Sequence, residues 1–121
     1  MILDDDPSIR VSLVEFLNDF NFEAIPAENA EQAFDILGHR KVEMFVVDIR
    51  LPGMNGINFI LAVYNRNPKS RFVIHTGLIA YQLSGELKQI GVKPEHVFLK
   101  PVQDLMQIKN CLQDLISWPN C

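Results

Sequence analysis

Apolar residues along this 121-residue chain fall into two alternating patterns. The first is short continuous runs at 44–47, 72–74 and 97–99, each read as a strand, with 44–47 reading as one buried on both faces. An apolar stub at 1–4 and an extended segment at 22–27 add two more, and Pro26 puts the second of these near a sheet edge. The second pattern is apolar residues at helical spacing. They are Ile9, Leu13, Phe16, Leu17 and Phe20, then Ala30, Ala33, Phe34 and Leu37, then Ile57, Ile60, Leu61 and Tyr64. Leu83, Leu87 and Ile90, and finally Leu105, Ile108, Leu112 and Leu115, complete the set.

The punctuation agrees. Asp6 before Pro7 is a carboxylate N-cap followed by proline at the first helical position. Gly38 and Gly91 read as helix stops, and Pro119 ends the last helix. Five strand-then-helix units predict an α/β fold with a parallel sheet and helices on both faces, joined by right-handed crossovers. The whole of 1–121 reads as a single domain. The first strand has only three residues before Asp4, short for a central strand, so we expect the natural chain to begin earlier. The chain is read as a stand-alone domain or as one part of a longer protein.

Composition narrows this little. Hydrophobic residues make up 48% and charged residues 21%, as in an ordinary globular domain. A net charge of −4 without a Lys/Arg cluster argues against direct nucleic-acid binding. No apolar run is long enough for a membrane span and no signal peptide is visible, so a cytoplasmic location is expected. Cys111 and Cys121 have neither metal-site nor redox spacing and read as free thiols, Cys111 as a packing residue.

The chemistry sits at the strand ends. Ligands of open parallel sheets bind beyond the carboxyl ends of the strands. There this chain places Asp4, Asp5 and Asp6 after strand one, Asp48 after strand three, Thr76 after strand four and Lys100 after strand five. Two like charges ~4 Å apart repel by about 4 kcal/mol at an effective dielectric of about 20. Asp4, Asp5 and Asp48 together therefore call for compensation. Lys100 gives one positive charge, and a hard cation such as Mg²⁺ gives two and prefers oxygen ligands. A carboxylate beside Mg²⁺, a hydroxyl and a lysine is an arrangement for phosphoryl transfer, with Asp48 the best nucleophile.

ILDDDPSIR, FVVDIRLPGMNG, VIHTG and FLKPV, in that order, resemble the receiver domain of two-component response regulators over essentially the whole chain. The resemblance implies a flavodoxin-like (βα)5 fold with strand order 2-1-3-4-5. It implies that Asp48 accepts the phosphoryl group, with Thr76 as switch hydroxyl and Lys100 pairing with the phosphoryl oxygens. Asp5 would bind Mg²⁺ directly, Asp4 largely through water, and the backbone carbonyl of Arg50 would complete the protein's share of the metal shell. A cis bond before Pro101 is also implied.

Two departures stand out. The family usually has an aromatic residue three positions before the lysine; here Val97 holds it and Phe98 comes one place late. The positions two beyond the phosphoacceptor and two beyond the switch hydroxyl tune self-dephosphorylation in the family, and here they are Arg50 and Leu78. Leu78 cannot orient an attacking water by hydrogen bonding.

The first functional reading is a signalling module rather than an enzyme. It would be phosphorylated by a sensor histidine kinase or histidine phosphotransfer protein and would act through the face of helix four, strand five and helix five. That face would meet an effector domain or a second copy. A receiver that takes no phosphate and serves as a docking module is the alternative. A small aspartyl phosphatase resembling the haloacid dehalogenases is a third, and it leaves Asp48 unexplained. His39, His75 and His96 receive no catalytic role, Tyr81 and Trp118 read as packing or surface residues, and Gly53 and Gly56 as backbone positions.

Overall fold

The computed structural model describes residues 1–77, 82–102 and 104–116. The described strands are β1 (Ile2–Leu3), β2 (Pro26–Ala27), β3 (Met44–Val47), β4 (Arg71–Thr76) and β5 (Val97–Leu99). They alternate with helices α1 (Pro7–Asp19), α2 (Ala30–Leu37), α3 (Gly56–Arg66), α4 (Gly85–Gln89) and α5 (Met106–Ile116). Every strand pair is parallel and the order is β2-β1-β3-β4-β5, the flavodoxin-like arrangement.

Strand alternation divides the core into two layers. Leu3, Phe45, Val47, Phe72 and Ile74 face one side, packed with Ala33 of α2, Phe59 and Ile60 of α3 and Leu87 of α4. Ile2, Val46 and Val73 face the other, packed with Leu13 and Leu17 of α1 and Ile108, Leu112 and Leu115 of α5. Continuous apolar runs are what a sheet covered on both faces requires.

Short polar side chains start the helices. Asp6 accepts from the N–H groups of Ser8 and Ile9, with Pro7 in the first turn. Asn29, Asn55 and Ser84 accept from Gln32, Asn58 and Leu87 respectively. Leu83 therefore precedes its helix rather than opening it. Gly38 closes α2 with φ −66°, an ordinary right-handed value, whereas Gly91 after α4 has φ +97°. A single 3-10 turn at Pro94–His96, which the sequence pattern does not show, leads into β5. Pro119 lies outside the described residues. No described helix is long and apolar enough to cross a membrane.

β1 is only two residues long, yet its pairing runs past its end. The Asp4 N–H donates to the Ala27 carbonyl (3.1 Å) and the Asp48 N–H to the Leu3 carbonyl (2.9 Å). With Leu3 paired to Val47, the next step of the register sets Asp4 beside Asp48. At the other end of β1 the Met1 amino group donates to the Met44 carbonyl at 2.7 Å, and burial lowers its pKa to about 5.

Candidate functional site

The predicted strand-end residues converge at one edge of the sheet. Asp4 and Asp48 are buried, 2% and 5% exposed, while Asp5 stays exposed. Carboxylate oxygens of Asp4, Asp5 and Asp48 lie within 4.8 Å of one another, close enough to share one cation. Asp6 stands apart in its capping role.

Lys100 enters from the end of β5. Its Nζ donates to Asp48 Oδ2 at 2.9 Å and pairs with Asp4 Oδ2 at 2.8 Å. The second oxygens are held by backbone: Asp4 Oδ1 accepts from the Asp6 N–H (2.9 Å) and Asp48 Oδ1 from the Arg50 N–H (3.1 Å). Burial drives the Asp48 pKa up, with Asp4 adding to it, against the opposing pull of Lys100 and the Arg50 N–H. Burial alone would lower Lys100, but its bonds to Asp4 and Asp48 outweigh this and raise its pKa. The lysine is thus a fixed cation for two carboxylates, and Asp5 has no ion pair among the described residues.

Thr76 is fully buried at the end of β4, and its carbonyl accepts the Lys100 N–H at 2.8 Å. The Lys100–Pro101 bond is cis, as the resemblance implies. Register pairs Ile74 with Val97, His75 with Phe98 and Thr76 with Leu99. Val97 packs in the α2–α4 layer and Phe98 in the α1/α5 layer. Phe98 therefore lies on the opposite face of β5 from Val97 and cannot replace the missing aromatic ring. Leu78, Tyr81, Trp118 and Cys121 lie outside the described residues. Half-buried Cys111 has its pKa raised to about 11 by burial, reinforced by Asp114 and Glu95, which fits an inert thiol.

Three features escape sequence reading. Arg10 donates from Nη1 to the Asp4 carbonyl at 2.8 Å and lies 3.9 Å from Glu28. An arginine one turn into the helix after an acid cluster is the only available hint. Gly56, by contrast, is not a left-handed position like Gly53 at φ +77°; a Cβ there would meet the Asp48 carbonyl oxygen at 2.3 Å. The third is His75, 4% exposed, with neither ring nitrogen hydrogen-bonded. It lines a cavity of about 360 Å³ between α1 and the loop after β5, with Ser8, Ser12 and Val102 among its walls. Burial, helped by Lys100 and opposed by Asp4, lowers its pKa to about 4.

Comparison with known proteins defines the class. Residues 1–112 match the family model of the response regulator receiver domain. The chain belongs to that family, whose domains serve phosphorelay signalling and bind Mg²⁺ at the acidic pocket. It is 27% identical over 113 residues to sporulation initiation phosphotransferase F of Bacillus subtilis, covering 93% of this chain and 89% of that protein. It is 29% identical over 91 residues to the uncharacterized transcriptional regulatory protein YesN of the same species, 75% of this chain but only 24% of YesN. Among solved structures, response regulator protein TrrA of Thermotoga maritima, in complex with Mg(2+)-BeF, has the same fold. The TM-score is 0.80 at 20% identity, covering 94% of this chain and 95% of that one.

Proposed function

We propose that this domain takes a phosphoryl group onto Asp48 from the phosphohistidine of a sensor kinase or phosphotransfer protein in the cytoplasm. The observation that carries this reading is Lys100 Nζ within 3 Å of both the Asp4 and the Asp48 carboxylates, at the ends of adjacent strands. An Asp48 oxygen attacks phosphorus. The P–O bond to Asp48 forms as the donor's P–N bond breaks, and the electron pair of that bond returns to the imidazole. Lys100 then exchanges a carboxylate for a phosphoryl oxygen.

The donor set fits Mg²⁺: all-oxygen, anionic and, with Lys100 counted, two charges short of neutral, which one divalent cation supplies. Asp5, Asp48 and the Arg50 carbonyl would hold it, with Asp4 acting through water. Bound there, Mg²⁺ supplies positive charge to the phosphoryl oxygens. No described feature calls for the phosphatase alternative, and Asp48, idle in that scheme, is central in this one.

Thr76 is the switch hydroxyl in this reading. Its register partner Leu99 is 47% exposed on β5, so a shift of Thr76 reaches the face formed with α4 and α5. That face would meet an effector domain or a second copy.

Incubation with Mg²⁺ and acetyl phosphate, followed by intact-mass measurement, tests the reading. Wild type gains one phosphoryl mass and Asp48→Asn gains none. A wild type that gains none overturns the proposal in favour of a phosphate-independent docking module.

A further inference from the structure

Of the three clustered acids, Asp5 is the one whose carboxylate no described residue holds. Asp4 is held four ways: its N–H donates to Ala27, its carboxylate accepts from the Asp6 N–H and from Lys100, and its carbonyl accepts from Arg10. Asp48 is bonded through both oxygens. Asp5 has no side-chain partner among the described residues, yet its carboxylate lies within 4.8 Å of the other two. Its direction is therefore set by its backbone, and the peptide joining Asp4 to Asp5 sets that backbone.

Arg10 grips that peptide. Its Nη1 lies 2.8 Å from the Asp4 carbonyl oxygen, and its side chain is only 15% exposed. The reach runs from the first turns of α1 back to the end of β1, so this charge-assisted bond spans the β1–α1 turn alongside the Asp6 N–H bond to Asp4 Oδ1. Glu28, at 3.9 Å and 57% exposed, adds little.

We propose that Arg10 is a positioning residue for the divalent-cation site: by holding the Asp4 carbonyl it fixes the Asp4–Asp5 peptide and keeps the Asp5 carboxylate turned toward Asp48. The proposal rests on the Mg²⁺ reading above. It runs against simple electrostatics. A guanidinium beside an acidic pocket repels a second cation, so charge alone makes its removal tighten metal binding. Positioning makes its removal loosen binding, because the ligand loses its preset direction. The sign of the effect separates the two.

The experiment uses the metal alone. Free Mn²⁺ is followed by electron paramagnetic resonance during titration of the protein, and bound Mn²⁺ is then displaced with Mg²⁺. Arg10→Met keeps the apolar stem and loses charge and donor, and it should bind both ions about tenfold more weakly than wild type. Arg10→Lys keeps the charge but not the planar fork and should fall between them. Unchanged or tighter binding by Arg10→Met overturns the proposal. Should Arg10→Met fail to give a cooperative urea transition, Arg10→Lys decides alone: weaker binding supports the proposal, and equal or tighter binding overturns it. A wild type that binds neither ion instead overturns the Mg²⁺ reading beneath it, a separate and recognisable result.

Discussion

The Cβ that Gly56 lacks would lie 2.3 Å from the carbonyl oxygen of Asp48 and 2.8 Å from the Cα of Ile49. The first turn of α3 rests directly on the backbone of the proposed phosphoacceptor, tied by the Gly56 N–H to the Ile49 carbonyl at 2.9 Å. Neither contact is with a flexible side chain, so a methyl group there must move backbone.

Gly56→Ala should therefore cost about 2–3 kcal/mol of stability, as overpacking does in a close-packed interior. It should also slow phosphorylation by acetyl phosphate, because the carboxylate moves with its backbone. Gly53→Ala, in open space but at φ +77°, should cost only about 1 kcal/mol and leave the site in place. Urea unfolding and intact mass measure both effects. Equal phosphorylation rates in Gly56→Ala and wild type would contradict the account.

Lys100→Met leaves two buried carboxylates without their cation. Breaking such a pair from one side should cost about 3 kcal/mol at neutral pH. Asp48 already has a raised pKa, and loss of the lysine raises it further. The folded variant then holds a proton that its unfolded chain releases, so its stability falls as pH rises through the unfolded carboxylate range and beyond. The gap to wild type should narrow toward acid. Melting curves at pH 5 and pH 8 that show a constant gap would argue against a charge origin.

His75 predicts a slope of the other sign. Its pKa is lowered from 6.5 to about 4 in the folded protein, so it is neutral there while the unfolded chain protonates. Its contribution is whole above pH 6.5 and is lost as pH falls toward 4. The loss reaches about 3 kcal/mol, at about 1.4 kcal/mol per pKa unit. His75→Leu removes the group and two unpaired nitrogens, and it should flatten the urea midpoint between pH 6.5 and 4.5 relative to wild type. The Met1 amino group, lowered to about 5, adds a slope common to both proteins that cancels in the difference. Parallel curves would refute the assignment.

Leu78 carries a kinetic prediction from the sequence. A leucine gives no hydrogen bond to an attacking water, so phosphorylated wild type should outlast phosphorylated Leu78→Glu. Loss of the phosphoryl mass over time, after removal of acetyl phosphate, measures it. Faster decay of the wild type would rule this out.

What could be read in advance, and what could not, divides on physical grounds. Asp4, Asp48, Thr76 and Lys100 are legible because each ends an apolar run, and a parallel sheet delivers all such ends to one edge. The layers are legible too, since continuous apolar runs demand cover on both faces. The roles of Arg10 and Gly56 are not legible, because each acts on a carbonyl, and backbone atoms leave no signature in the order of side chains. Alternation within β5 sets Phe98 opposite Val97, but which helix layer each meets depends on how β5 packs in the folded sheet, which no single-strand pattern contains. Leu83 shows a milder failure: helical spacing counts apolar residues and cannot tell an N-cap's neighbour from a first turn.

That alternation has one more consequence. Val97 and Phe98 are neighbours in the chain, yet the sheet stands between their side chains as an insulating wall. Whatever selects substitutions against α1 and α5 at one position is blind to the other. A single three-residue strand can thus be rewritten on its two sides separately, one side answering to the α1 and α5 layer and the other to the layer of α2, α3 and α4.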